Sequence, residues 1–203
     1  VGRYMAITSK QRLALERLEQ LTDKGHKTIL YAKNPGVLEI LAPRLSQRGI
    51  DSVVFHGGKP IKARTRELDT RFRDGNVPVL FATRGCTQSG LNVPEADRVL
   101  FYGRSWSAKE EGQCMARVLR PQQKREVAAE FLHLEGAIDE YQAQLVAFKA
   151  DAANAALDWA APEMEDVEFL HLNTVLERFI ENLATLHGKL AWKLRNELKE
   201  MAA

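Results

Sequence analysis

Three residues near the middle of the chain have the types and spacing to handle an anion. They are Gln113, Arg117 and Arg120, in the run Gln113-Cys114-Met115-Ala116-Arg117-Val118-Leu119-Arg120. An arginine stays charged, and its planar fork matches the oxygens of a phosphate two at a time. Residues three or four apart share one face of a helix. A helix through this run would therefore carry both guanidiniums to one phosphate, with Gln113 a turn earlier to hold a water or an arginine in place. Taken alone, such a pattern is more often a solvated helix face. Upstream, Thr83, Gly85, Ser89, Gly90 and Asn92 fall within a single loop. Its glycines let backbone N–H groups approach an anion closely, and its hydroxyls can donate to phosphate oxygens. The bland alternative is a strand-to-helix connection.

The elements that must position these residues follow from periodicity. Residues 77–82 and 99–102 are short apolar runs that read as buried strands on either side of the loop, with Pro78 at a strand start where a missing N–H is tolerated. Leu13, Leu15, Leu18 and Leu21 recur at near-helical spacing behind Ser9, a candidate N-cap, and Gly25 ends that helix. Residues 28–32 and 52–55 form two further strands. Between them lies a second helix bearing Leu38, Leu41 and Leu45, with a kink point at Pro43 and a stop near Gly49. A charged helix with Leu68 and Phe72 on its apolar side follows, and residues 127–134 read as a fifth strand. Strands alternating with helices predict an α/β fold, a parallel sheet covered on both faces by helices joined through right-handed crossovers. Ligands in such sheets bind beyond the carboxyl ends of the strands. That rule gathers Lys33, Asn34, His56, Gly57 and residues 83–92 and 103–106 along one rim. Lys59 and Lys62 add positive charge there, where a nucleic-acid backbone could be tracked. Trp106 reads as a packing anchor in preference to a base-stacking group.

With 203 residues, 45% apolar and 28% charged, the chain is long enough for one domain and an extension. With a net charge of only +2 the whole chain shows no strong polybasic signature, so a nucleic-acid role would need a local basic face. Cys86 and Cys114 have neither metal-ligand nor redox-pair spacing and are expected to be free thiols in a reducing, cytoplasmic or nucleoid-associated setting. His56 has no partner cluster for a metal. No apolar run reaches the roughly 18 residues of a membrane span. The chain begins with Val1 and not Met, which points to a piece of a longer protein. Past Ile138 the pattern is helical, with a break at residues 161–166. Beyond the break, Leu172, Leu176, Phe179, Leu183, Leu186 and Leu190 alternate in steps of four and three. This stripe reads first as intramolecular packing and second as a seam for a protein partner through residues 170–200.

Residues 9–159 resemble the second RecA-like lobe of superfamily 2 helicases, and most closely the switch/sucrose-non-fermenting type of DNA translocase. The sixth motif of that family, Q-x-x-x-R-x-x-R-x-x-Q, is matched by Gln113, Arg117, Arg120 and Gln123. The fifth motif resembles residues 82–92, ATRGCTQSGLN, and Phe55-His56-Gly57-Gly58 fits the family's strand-then-glycine element. Departures are Ser107-Ala108 in place of Asn-Pro, Gly103 in place of Asp, Leu119 in place of His, Pro121-Gln122 before the last Gln, and a fifth-motif loop one residue longer.

The resemblance implies a helicase C-terminal domain over residues 1–160 and a helical extension over 161–203. It implies that Arg117 and Arg120 serve as arginine fingers for ATP, assisted by Gln113, that Gly90 and Asn92 lie near the nucleotide, and that Thr83 and Arg84 contact the nucleic-acid backbone. Arginine fingers contribute on the order of 10³ to 10⁵ in rate. The sequence contains no G-x-x-x-x-G-K-[ST] loop and no D-E-x-H strand end. The Mg²⁺ and the main ATP cradle would thus belong to an N-terminal lobe, and this piece alone is expected to be inactive. Duplex DNA is the favoured nucleic acid. The alternatives are a non-catalytic nucleic-acid or protein-binding α/β module and the lobe of an RNA helicase.

Overall fold

The computed structural model describes residues 7–89, 91–105, 108–134, 139, 142 and 146. The chain divides into two units, residues 1–103 with 109–132 and residues 104–108 with 133–203. In the first, five strands form one parallel sheet in the order β2-β3-β1-β4-β5: β1 Thr28–Ala32, β2 Ser52–Phe55, β3 Val79–Thr83, β4 Arg98–Phe101 and β5 Ala128–Phe131. The register pairs Ala32 with Thr83, Phe55 with Ala82, and Phe101 with both Tyr31 and Phe131. The carboxyl ends of all five strands therefore lie along one edge. The parallel α/β sheet expected from the alternation is present, with strand bounds within three residues of those expected.

Alternation along each strand sorts side chains to two faces. Ile29, Tyr31, Val53, Phe55, Leu80, Ala82, Val99 and Phe101 pack with Leu68, Phe72, Cys114 and Val118 in one cluster. Leu30, Ala32, Val79, Phe81 and Leu100 pack on the other face with Leu15 and Leu18 of α1 (Ser9–Asp23) and Leu38, Leu41 and Leu45 of α2 (Pro35–Gln47). The inner strands β1 and β3 are buried along their whole length, which is why they read as continuous apolar runs.

The helix caps differ in detail from expectation. Thr8, and not Ser9, caps α1: its hydroxyl accepts from the Gln11 N–H at 3.2 Å, and the Gln11 side chain accepts from the Thr8 N–H at 3.0 Å. This reciprocal pair satisfies two N–H groups that the first helical turn leaves open. Asn34 caps α2 through the Gly36 N–H at 2.9 Å, with Pro35 at the first position, and the helix continues through Pro43. Gly25 and Gly49 end α1 and α2 at φ of 74° and 80°, a conformation that needs glycine. The third helix, α3 (Ile61–Glu67), opens into a π-helical turn over Leu68–Arg73.

The second unit's described residues include Gln142, whose amide donates to the Arg104 carbonyl at 3.0 Å, and Asp139, which accepts from the Leu134 N–H at 3.4 Å. The break at 161–166, the leucine stripe and the boundary at residue 160 lie outside the described residues, as do Trp106 and Gly90.

Candidate nucleotide-phosphate site

The helix meant to carry both arginines is shorter than expected. The fourth helix, α4, spans Ala108–Met115, and the chain then turns, with Arg117 N–H bonded to the Cys114 carbonyl at 3.2 Å and Leu119 N–H to Met115 at 2.9 Å. A shared helix face therefore does not unite Arg117 and Arg120, as the spacing had implied. Tertiary contacts do. The Val93 N–H donates to the Arg117 carbonyl at 2.9 Å, and the Gln123 amide donates to the Ala96 carbonyl at 2.6 Å. These two bonds lay the turn alongside residues 92–96, and both guanidiniums then reach Asn92. Arg120 Nη2 donates to Asn92 Oδ1 at 2.9 Å and Arg117 Nη1 to the same atom at 3.4 Å.

Two guanidiniums converge here on one neutral acceptor. Arg17, Arg48, Arg71, Arg73 and Arg125 each pair with a carboxylate. Arg117 and Arg120 share one neutral amide oxygen, and neither pairs with a carboxylate among the described residues. Their Nε atoms are buried and have no hydrogen-bond partner among the described residues. Two adjacent cations with unused donors favour an anion strongly, because each bond to it would be charge-assisted. An open cavity of about 440 Å³ adjoins them, lined among others by Arg73, Asn92, Pro94, Glu95 and Arg120. The donor set fits a phosphate.

Gln113 is exposed on α4 and forms no hydrogen bond with Asn92 or either arginine, so the structure does not join it to the pair. Spacing did not single out Arg73, which donates to the Asn92 backbone carbonyl from the end of the π-helical turn. Nor did it indicate the brace supplied by Gln123.

The rim residues form a separate group. Lys33 and Asn34 follow β1 and are exposed; Gly57 follows β2 and is exposed. His56 is buried, its Nδ1 accepting from the Gly58 N–H at 3.1 Å and its Nε2 3.6 Å from Glu39. Thr83 and Arg84, at the end of β3, are turned inward. Thr83 Oγ1 lies 3.1 Å from Cys86 Sγ, and Arg84, 4% exposed, donates to the Gly103 carbonyl and sits 3.9 Å from Glu110. The physical reason is the 3₁₀ turn Arg84–Ser89 directly after the strand, which folds these side chains beneath the rim. In this conformation neither is presented to a ligand.

Cys86 and Cys114 are both free and buried, and burial pushes the Cys114 thiol up to about 12. Among the described residues no group of His, Cys, Asp and Glu could hold a metal ion, and no helix is long and apolar enough to cross a membrane.

Residues 10–122 match the Helicase conserved C-terminal domain family. The chain is 26% identical over 156 residues to the ATP-dependent helicase rhp16 of Schizosaccharomyces pombe, covering 74% of this chain and 18% of that protein. It is 29% identical over 124 residues to Helicase SWR1 of Candida albicans, covering 61% of this chain and 7% of that one. The chain thus spans less than a fifth of the length of these relatives. The fold is similar to that of the C-terminal part of the Fun30 ATPase domain, with a TM-score of 0.65 at 23% identity over 72% of this chain and 48% of the other. The chain belongs to the helicase conserved C-terminal domain family, as a RecA-like second lobe of superfamily 2 and of the switch/sucrose-non-fermenting type.

Proposed function

We propose that this chain is the C-terminal lobe of an ATP-dependent DNA translocase or helicase, and that Arg117 and Arg120 act as fingers on a nucleotide held mainly by a preceding lobe. The observation that carries the reading is the pair of guanidiniums converging on Asn92 Oδ1 without a carboxylate partner among the described residues. ATP, with Mg²⁺ on the other lobe, supplies a transferable phosphoryl group. Transfer of that group is catalysed almost entirely by positioning and charge neutralisation. Arg117 and Arg120 would exchange the Asn92 amide for phosphate oxygens, with the Asn92 side chain returning to them when the nucleotide leaves. The exchange costs little, since a neutral acceptor is replaced by an anionic one.

Exposed Lys33, Asn34 and Gly57 would face the nucleic-acid backbone at the sheet's carboxyl edge. Duplex DNA is the nucleic acid we favour, and hydrolysis requires both lobes. The experiment is nucleic-acid-stimulated ATP hydrolysis by the full-length protein carrying Arg117→Ala or Arg120→Ala. Loss on the order of 10³-fold is expected for a finger. Activity within a few fold of wild type would remove the assignment.

A further inference from the structure

The pair Arg117 and Arg120 does not meet Asn92 by itself; a third arginine holds Asn92 from behind. Arg73 Nη2 donates to the Asn92 backbone carbonyl, and its Nη1 donates to Asp69 Oδ1 at 2.6 Å, one turn back. The guanidinium therefore bridges the π-helical turn Leu68–Arg73 and the segment that carries Asn92. One face of this bridge lines the cavity that Arg120 also lines.

The turn that delivers Arg73 is costly and firmly anchored. π-helical turns are rare and concentrate at functional sites. Here the turn keeps Leu68 and Phe72, at 2% and 0% exposure, in the core while the next residue points out towards Asn92. Lys27, from the entry to β1, donates to the Phe72 carbonyl at 2.5 Å and to the Gly75 carbonyl at 2.9 Å, so it clamps the backbone on both sides of Arg73. Its ammonium lies 5.2 Å from the centre of the Phe72 ring. An ordinary surface arginine has no such framework.

We infer that Arg73 is a positioning residue for the arginine pair: it fixes the Asn92 backbone so that Asn92 Oδ1 gathers Arg117 and Arg120 before nucleotide arrives. The inference rests on the reading of that pair as phosphate-binding. Its physical basis is pre-organisation. Two flexible cations that repel one another would spread over many rotamers, and a fixed acceptor confines them at low cost. Arg73 needs no contact with the nucleotide to act in this way.

The test uses the full-length protein and steady-state ATP hydrolysis with saturating nucleic acid. Arg73→Ala should lower kcat by about 10- to 100-fold, the upper end being the scale of a misplaced catalytic group, with KM for ATP changed less. Arg73→Lys, which keeps charge and one donor, should recover part of the loss. In an Arg120→Ala background, Arg73→Ala should add little further loss, because residues acting through one another are not additive. Should Arg73→Ala fail to fold, Arg73→Gln retains the stem and one amide donor and carries the same comparison. Wild-type kcat in the Arg73 variants would overturn the inference. So would a full, multiplicative loss in the Arg120→Ala background. If instead Arg120→Ala alone leaves hydrolysis intact, the phosphate reading itself fails and the inference falls with it, an outcome seen in a different variant.

Discussion

Two glycines in this chain should respond to alanine with opposite signs, and the structure says by how much. At Gly75, a Cβ would fall inside van der Waals distance of the Arg71 carbonyl oxygen, 2.8 Å from that of Thr70 and 2.9 Å from the Arg71 carbonyl carbon. All three neighbours are backbone atoms of the π-helical turn, so no side chain can swing aside. The turn must open, and the bonds that hold it must stretch. These are Lys27 to the Gly75 and Phe72 carbonyls, and Val77 N–H to the Arg71 carbonyl at 3.1 Å. Overpacking of this kind costs about 1–3 kcal/mol, and weakening even one charge-assisted bond adds about 1 kcal/mol. Gly75→Ala should therefore destabilise by about 2–4 kcal/mol. Gly112, by contrast, lies in α4, and a Cβ there meets nothing within 4 Å. Gly112→Ala should stabilise by about 0.5–1 kcal/mol through helix propensity and a less flexible unfolded chain. Urea unfolding of the two variants against the parent reads both signs in one experiment. A Gly75→Ala midpoint equal to the parent's, at unchanged slope, would refute the close approach and with it the clamped turn that carries Arg73.

Tyr31 is fully buried, and its hydroxyl has no hydrogen-bond partner among the described residues; burial also pushes its ionisation well above the usual range. Tyr31→Phe should leave stability unchanged or raise it by about 1 kcal/mol, since only an unsatisfied polar atom is removed, and a loss beyond that size in urea unfolding would show a partner for the hydroxyl. Arg17 grips Glu130 with both ends of its fork, at 2.6 and 2.7 Å, and the hydrogen bond holds the Glu130 carboxyl below its ordinary 4.5. A carboxylate whose ionisation is depressed in the fold stabilises above its ordinary pKa and loses that contribution as pH falls through the lower folded value. The stability gap between the parent and Arg17→Met, about 0.5–1 kcal/mol for a partly exposed pair, should thus be full at neutral pH and shrink below pH 4.5; a gap that does not change with pH would show that the ion pair is not its source.

The chain by itself determined the sheet. The runs at residues 28–32 and 52–55 became strands with those bounds: β1 is buried on both faces and leaves an unbroken hydrophobic signature, while edge strand β2 buries Val53 and Phe55 on one face. Leu68 and Phe72 were legible as core contacts because they are the apolar residues of an otherwise charged helical run. The beginning of the first helix was legible to within a residue. At the first, Ser9 was the apparent cap, but Thr8 holds the position because Gln11, three residues on, can answer it.

The types and spacing of Arg117 and Arg120 singled them out as a pair, and the fold brings both to Asn92 by a route that helical spacing does not describe. Helical periodicity is a local rule, and α4 stops at Met115, before either arginine. Their convergence comes from Val93 and Gln123 bonding across sequence separations of 24 and 27 residues to hold the turn against residues 92–96. Arg84 shows the converse: its motif pointed it at a ligand, and the 3₁₀ turn buries it. Arg73 was invisible in one dimension, an arginine after a core phenylalanine with no spacing to any other site residue. A π-helical turn adds a residue to the helical repeat, so periodicity cannot say which way the next side chain points. The sequence determined which residues are apolar and which are charged; only the tertiary structure decided which charges are buried and which meet, because that depends on bonds between backbones brought together by the sheet.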